Sequence, residues 1–318
     1  MSKDRTRSAL GAIIAGLALL ALPSAASALA PPGVSTGAAS GVSYGSATLT
    51  GLVNPHGSNT SYYFQYGPTR AYGAQTALAD AGAGTATVKV AVPVGGLQPI
   101  TTYDYRLIAV NSGGAATGAD RAFKTAKVPL SLAITAGPNP TIFGGTLVIQ
   151  GTLSGTGNGN VPVTLQSNPF PYTQGFLNTG NPELTSATGG FSFPFVGLTT
   201  ATQFRVVTTT TKPVVASPVA IEGVAVKVEA HVAGTRRRHH ARIYGTVTPA
   251  IDGMEVGIMR VVGGHEVLVA GTVLLHHNAT SSRFSRVIRV KRHGLYRVFV
   301  KVTNGAQSSN YSVPLFIR

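Results

Sequence analysis

Apolar and polar residues alternate with a period of two along most of this chain, in short runs. Ala47-Thr48-Leu49-Thr50-Gly51-Leu52-Val53 sets apolar side chains two apart before a turn at Asn54-Pro55-His56-Gly57. Ser61-Tyr62-Tyr63-Phe64-Gln65-Tyr66 follows as an aromatic strand, closed by Gly67-Pro68. Residues 85–92 alternate again, and residues 101–110 make a further run that ends at Asn111-Ser112-Gly113-Gly114. A strand turns successive side chains to opposite faces, so each run offers one face to a core and one to water. Strands of this length between Gly, Pro and Asn turns predict a β-sandwich over residues 29–126.

Two later segments share one order of elements. Residues 127–223 contain Gly145-Thr146-Leu147-Val148-Ile149-Gln150-Gly151-Thr152-Leu153, then Val161-Pro162-Val163-Thr164-Leu165, Gly190-Phe191-Ser192-Phe193 and Phe204-Arg205-Val206-Val207. Residues 224–318 contain Ala241-Arg242-Ile243-Tyr244-Gly245-Thr246-Val247, Met254-Glu255-Val256-Gly257-Ile258, Arg283-Phe284-Ser285 and Tyr296-Arg297-Val298. Each segment therefore has a strand ending in Gly-Thr-Leu or Gly-Thr-Val, a second apolar strand, a Phe-Ser pair, and an aromatic-Arg-Val strand. The pattern predicts an all-β protein of three β-sandwich domains in tandem, at 29–126, 127–223 and 224–318. The connections at 125–129 and 215–223 are short and contain proline, which predicts stiff linkers.

Leu97-Gln98-Pro99, Thr102-Tyr103-Asp104-Tyr105-Arg106, Ala109-Val110-Asn111 and Gly113-Gly114 resemble the E–F corner and F strand of a fibronectin type III domain. Phe123-Lys124-Thr125 would close its last strand. The resemblance covers close to a third of the chain. It implies that Tyr103 is the corner tyrosine, with its ring in the core and its hydroxyl bonded to upstream backbone. The family's core Trp is missing, because the chain has no Trp; Leu49 or Leu52 is the replacement. The second and third segments resemble the bacterial immunoglobulin-like repeats strung together on exported proteins.

The N-terminus explains the export. Lys3, Arg5 and Arg7 precede an apolar run over residues 9–22, Pro23 and the small-residue triplet Ala26-Ser27-Ala28. This is the layout of a signal peptide, and the run is short for a membrane-spanning helix. Residues 1–28 are expected to be removed after Ala28, with an uncleaved anchor as the other reading. No second apolar segment is long enough to span, so no transmembrane segment follows cleavage. The Ala/Gly/Leu-rich leader has a bacterial style, and the expected location is secreted or cell surface. With no cysteine, the chain has no lipidation site, disulfide, thiolate zinc site or Cys nucleophile.

Charge changes the picture at one end. Residues 224–318 hold fourteen Lys/Arg against four acids, and seven of the eight His. Arg236-Arg237-Arg238-His239-His240 is the densest run. Arg286, Arg289, Lys291 and Arg292, with His293, form a second. Both flank strands, so their side chains can meet at one end or edge of the last sandwich. The functional reading is contact with a polyanion of the cell envelope; the bland reading is edge protection and solubility. Sequence-specific nucleic-acid recognition is not expected, since no helix is available for a groove and the basic runs lack interleaved aromatics.

The catalytic motifs fail on context. Gly41-Val42-Ser43-Tyr44-Gly45 matches the spacing of a nucleophile elbow, but a strand follows where that chemistry needs a helix. His265-Glu266 begins a zincin motif that ends in Val269, and the adjacent pairs His239-His240 and His276-His277 point to opposite faces of a strand. No enzyme activity, metal site or cofactor is expected. The expected function is a structural or adhesive module array at the envelope, with a polyanion or another surface protein as partner. The alternative is a secreted carbohydrate- or protein-binding protein that uses loops of its first two domains. Residues 167–186, with Phe170, Tyr172 and Phe176, are its candidate loop.

Overall fold

The computed structural model describes residues 29–318; the leader, from Lys3 through the Ala26-Ser27-Ala28 triplet, lies outside the described residues. Every regular element among the described residues is a strand. Among the described residues, no helix is long and apolar enough to cross a membrane. The chain divides into two compact units between Ala126 and Lys127.

Among the described residues the first unit holds nine strands: Gly33–Thr36 (β1), Ser46–Asn54 (β2), Thr60–Gly67 (β3), Ala74–Gln75 (β4), Ala79–Gly82 (β5), Val88–Gly95 (β6), Thr102–Asn111 (β7), Gly114–Thr117 (β8) and Arg121–Lys124 (β9). They form two antiparallel sheets, β1-β2-β6 and β4-β3-β7-β8, with β5 on β3 and β9 on β7. The alternation seen in the sequence supplies the core: Leu49, Val53, Phe64, Tyr105 and Leu107 point between the sheets. Of the two leucines that compete for the missing Trp, Leu49 is buried and Leu52 faces solvent. Tyr103 is buried and stacks on Phe123 at 5.8 Å. Its hydroxyl accepts the Gln98 amide N–H at 2.9 Å.

The second unit opens with Ser131–Gly137 (β10), Thr141–Ile142 (β11), Gly145–Ser154 (β12), Pro162–Pro169 (β13), Leu177–Asn178 (β14), Glu183–Leu184 (β15), Gly190–Leu198 (β16), Thr202–Thr208 (β17) and Ala220–Glu222 (β18). Here the sheets are β10-β12-β16 and β14-β13-β17-β18, with β15 on β13. After Val224–Ala225 (β19) come Lys227–Gly234 (β20), His240–Thr248 (β21), Glu255–Val262 (β22), His265–Val273 (β23), Leu275–Asn278 (β24), Ser281–Arg289 (β25), Gly294–Val300 (β26), Asn310–Tyr311 (β27) and Leu315–Ile317 (β28). Their sheets are β20-β21-β25-β24 and β23-β22-β26-β27, with β28 on β26. The same wiring thus recurs three times: first, second and fifth main strands in one sheet, third and sixth in the other.

Two sequence features repeat with it. A Cβ at Gly151 would sit 2.6 Å from Phe191 Cζ, and one at Gly245 would sit 2.9 Å from Phe284 Cζ. Phe191 lies opposite Gly151, and Phe284 opposite Gly245, on the paired strand. The Gly-Thr-Leu and Gly-Thr-Val signatures therefore mark where an aromatic ring crosses bare backbone. On the outer face, Arg106 bonds Gln65 Oε1 at 2.9 Å and Arg205 bonds Gln166 Oε1 at 2.8 Å, each Arg directly opposite its Gln. Each guanidinium also covers an aromatic ring, Tyr72 at 4.6 Å and Phe176 at 4.2 Å. In the last sandwich Met259 stands opposite Arg297, which turns to Glu266 at 3.2 Å and covers Tyr311 at 4.7 Å.

The stretch expected as a linker at 215–223 differs from that expectation. Ala220–Glu222 is a strand on β17, and β19 runs parallel to β11. Val224 belongs to one core and Val226, two residues on, to the next. Ser308 donates its amide to Val224 O at 2.7 Å, and Asn310 Nδ2 bonds Val226 O at 2.8 Å. Backbone that is hydrogen-bonded on both sides cannot act as a free hinge.

Glu222, at the end of β18, is 3% exposed, and its Oε2 makes no hydrogen bond. Burial pushes its carboxyl above the ordinary glutamate value of 4.5. The folded state then holds this proton more readily than the unfolded chain, so its contribution to stability is lost as pH rises above that value. Glu222→Gln is expected to raise the melting temperature at pH 7, with the gain shrinking as pH falls toward 4.5. Thermal melts across that range check this; an equal loss at every pH would refute it.

Candidate functional site

The two basic runs come from different parts of the sequence, and strand pairing decides whether they meet. β20 and β21 form a hairpin whose turn carries Arg236, Arg237 and Arg238. β21 pairs β25 with His240 opposite Arg289. Directly beyond, the Val290 amide donates to His239 O at 2.7 Å. The hairpin turn and the connection from β25 to β26, which carries Lys291, Arg292 and His293, therefore lie side by side at one end of the last sandwich.

Local chemistry holds both turns. Thr235 Oγ1 donates to the carbonyls of Arg237 and His240, at 3.1 Å each. His240 Nδ1 lies 2.8 Å from Arg238 O. His239 takes a positive φ of 58°, the left-handed region that lets the turn close. In the second turn Tyr296, 2% exposed, reaches back from β26 to donate its hydroxyl to Arg292 O at 3.0 Å. The arginines of the hairpin turn, with Arg286, Arg289, Lys291 and Arg292, are all exposed.

The four acids of residues 224–318 are committed elsewhere. Glu229 pairs Lys227 at 2.6 Å, Asp252 pairs His276 at 3.1 Å, Glu266 pairs Arg297 at 3.2 Å and Glu255 pairs Lys301 at 3.3 Å. Among the described residues, none of the seven Lys/Arg of the two runs has an ion-pair partner. Like charges gathered on one end add their fields, and salt screens them over a length of roughly 8 Å at physiological ionic strength. Such a surface attracts polymeric or multivalent anions and is weakened by salt. No cluster of three metal-ligating side chains forms among the described residues.

The other singled-out residues belong to other strands and turns. Residues 167–186, expected as a long loop, are partly sheet: β14 and β15 both pair with β13. Phe170 and Tyr172 meet edge to face at 5.7 Å. A Cβ at Gly305 would lie 2.9 Å from Phe170 Cζ, so the tip of that ring reaches the following sandwich. Phe176 is capped by Arg205. Ser43 Oγ accepts the amides of Gly45 and Ser46 at 3.2 and 3.0 Å, which makes it a turn-capping hydroxyl.

Tyr296 escaped sequence reasoning because a buried aromatic in an alternating strand looks the same whether or not its hydroxyl reaches a turn. Tyr296→Phe should leave the core filled and free the turn, costing about 1 kcal/mol. Hydrogen exchange is expected to quicken at residues 291–294 while β21 and β22 stay protected. Unchanged exchange in that turn would remove Tyr296 from the assembly of the site.

No protein-family model and no curated protein matches the chain. Solved structures of tandem domains do. A crystal structure of chicken CNTN1 FN1–FN3 domains is 16% identical over 91% of this chain and 98% of its own, with a TM-score of 0.32. Consecutive domains from titin match at 13% identity over 90% and 98%, with a TM-score of 0.36. A tetra-tandem repeat in the extending region of a large adhesion protein matches at 16% over 90% and 74%, with a TM-score of 0.29. With superpositions this loose, the fold assignment rests on the strand order given above.

Proposed function

We propose that this chain is a non-enzymatic, exported array of three β-sandwiches, at 29–126, 127–223 and 224–318. It works at the cell envelope, where the basic end of the last sandwich binds an anionic envelope polymer. The observation that carries this reading is the pairing of His240 with Arg289, which sets two basic turns side by side with no acid paired to them. Isolated surface charges add little to stability, and like charges held together oppose it. An arrangement that gathers them and leaves them unpaired is best supported as a binding surface. The export leader expected over residues 1–28 supports a location outside the cytoplasm, where acidic wall polymers and acidic polysaccharides are available.

The test keeps the chain whole, because Val224 and Val226 knit the last sandwich to its neighbour. The protein is sedimented with purified envelopes across a salt series, beside a variant carrying Arg236→Ser, Arg237→Ser, Arg238→Ser, Arg289→Ser and Arg292→Ser. These side chains are exposed and unpaired, so the variant is expected to melt within about 2 °C of the parent. The parent should pellet at low salt and be released as salt rises toward about 0.5 M, and the variant should bind at least tenfold more weakly. Pelleting that ignores both salt and the substitutions would overturn the proposal.

A further inference from the structure

The last sandwich has a breach in its core, and the breach is cationic. Along β22 the inward positions are Val256 and Ile258, both buried, and the next in register is Arg260. Its Nε is buried and makes no hydrogen bond. Across the gap, β25 has Phe284 and Ile288 pointing inward, with Arg286 between them in the same register, opposite the buried Ile243. Two arginines from facing sheets thus occupy positions that alternation reserves for apolar side chains.

Both border a cleft of about 570 Å³ between β23 and β25. The strands leave it open. β24 covers β25 only at residues 281–283, and β23 pairs only with β22. Arg289, Lys291 and Arg292 complete the cationic lining, and no acid lines it. Its apolar walls include Val267, Val269 and Val287, which are 53%, 39% and 50% exposed.

Edge protection accounts for an inward charge on an edge strand. It does not account for Arg260, because β22 lies between β23 and β26 and has no free edge. Burying a guanidinium nitrogen without a partner costs stability, so an apolar residue would serve the fold better. A planar guanidinium matches a phosphate or carboxylate with two parallel hydrogen bonds, and exposed valines match hydrocarbon.

We infer that this cleft binds an anionic amphiphile, with a phosphate-type head group on Arg260 and Arg286 and a hydrocarbon chain along Val267, Val269 and Val287. This deepens the envelope reading by assigning the last sandwich a second, lipid-like ligand class. It shares Arg286, Arg289, Lys291 and Arg292 with the polymer surface and adds Arg260, whereas Arg236, Arg237 and Arg238 do not line the cleft.

Calorimetric titration of residues 29–318 with dihexanoyl phosphatidic acid, below its micelle concentration, tests the assignment. One saturable site is expected, about tenfold or more tighter than for inorganic phosphate or for dihexanoyl phosphatidylcholine. Arg260→Met combined with Arg286→Met should weaken it by at least about tenfold, while the triple change Arg236→Ser, Arg237→Ser, Arg238→Ser shifts it less than threefold. The melting temperature of Arg260→Met is expected to be no lower than the parent's, because an unpaired buried group is removed. Should the double variant misfold, Arg286→Glu alone, at an exposed side chain, carries the same expectation. Equal binding of inorganic phosphate, or undiminished binding by the arginine variants, overturns the inference. Loss of envelope pelleting in the triple variant Arg236→Ser, Arg237→Ser, Arg238→Ser with lipid binding intact separates this outcome from the polymer reading, as does loss of lipid binding in Arg260→Met with pelleting intact.

Discussion

Each sandwich is held shut by apolar side chains on the inner registers of two facing sheets, with no covalent staple to help. The chain contains no cysteine, so Leu49, Phe64 and Leu107 in the first core, Leu147, Leu165 and Phe204 in the second, and Ile243, Ile258 and Phe284 in the third carry closure alone. Each such side chain contributes about 1.5–3 kcal/mol when taken from water. That dependence on the inner register makes departures from it informative. A polar group there either finds a partner or imposes a cost.

The departures fall into two kinds. Tyr103, Tyr105 and Tyr296 put a ring in the core and send a hydroxyl to backbone at its margin. They satisfy the rule and pin turns in the process. Arg260 and Glu222 do not satisfy it within the described residues, since each leaves a buried polar atom without a bond. Glu222 sits where the second sandwich hands over to the third, and Arg260 sits at the lip of an open cleft. Their neighbourhoods differ in sign: the cleft gathers further cations, whereas the handover is built from neutral backbone contacts.

The outer faces carry a second layer of order. An arginine on the sixth main strand lies over an aromatic ring in all three sandwiches, and in the first two it also bonds a glutamine directly across the sheet. In the third, Met259 replaces the glutamine and Arg297 is drawn to Glu266. This exchange commits Glu266 to Arg297.

Alternation alone determined that the chain is all-β and where most strands run, because a period of two admits one buried face per strand. The Gly-Thr-Leu and Gly-Thr-Val signatures were readable as a repeat, though not their cause, a ring on the paired strand lying across the glycine. Composition also located the charge excess in residues 224–318. What the sequence left open was everything set by pairing between distant segments. The register that puts His240 opposite Arg289 brings the basic runs together, and the handover from Val224 to Val226 turns an expected linker into shared structure. The inward aim of Arg260 depends on which sheet its strand joins and which strand stops short across from it. Hydrogen-bond register and sheet closure are properties of two strands at once, so only the tertiary structure decides them.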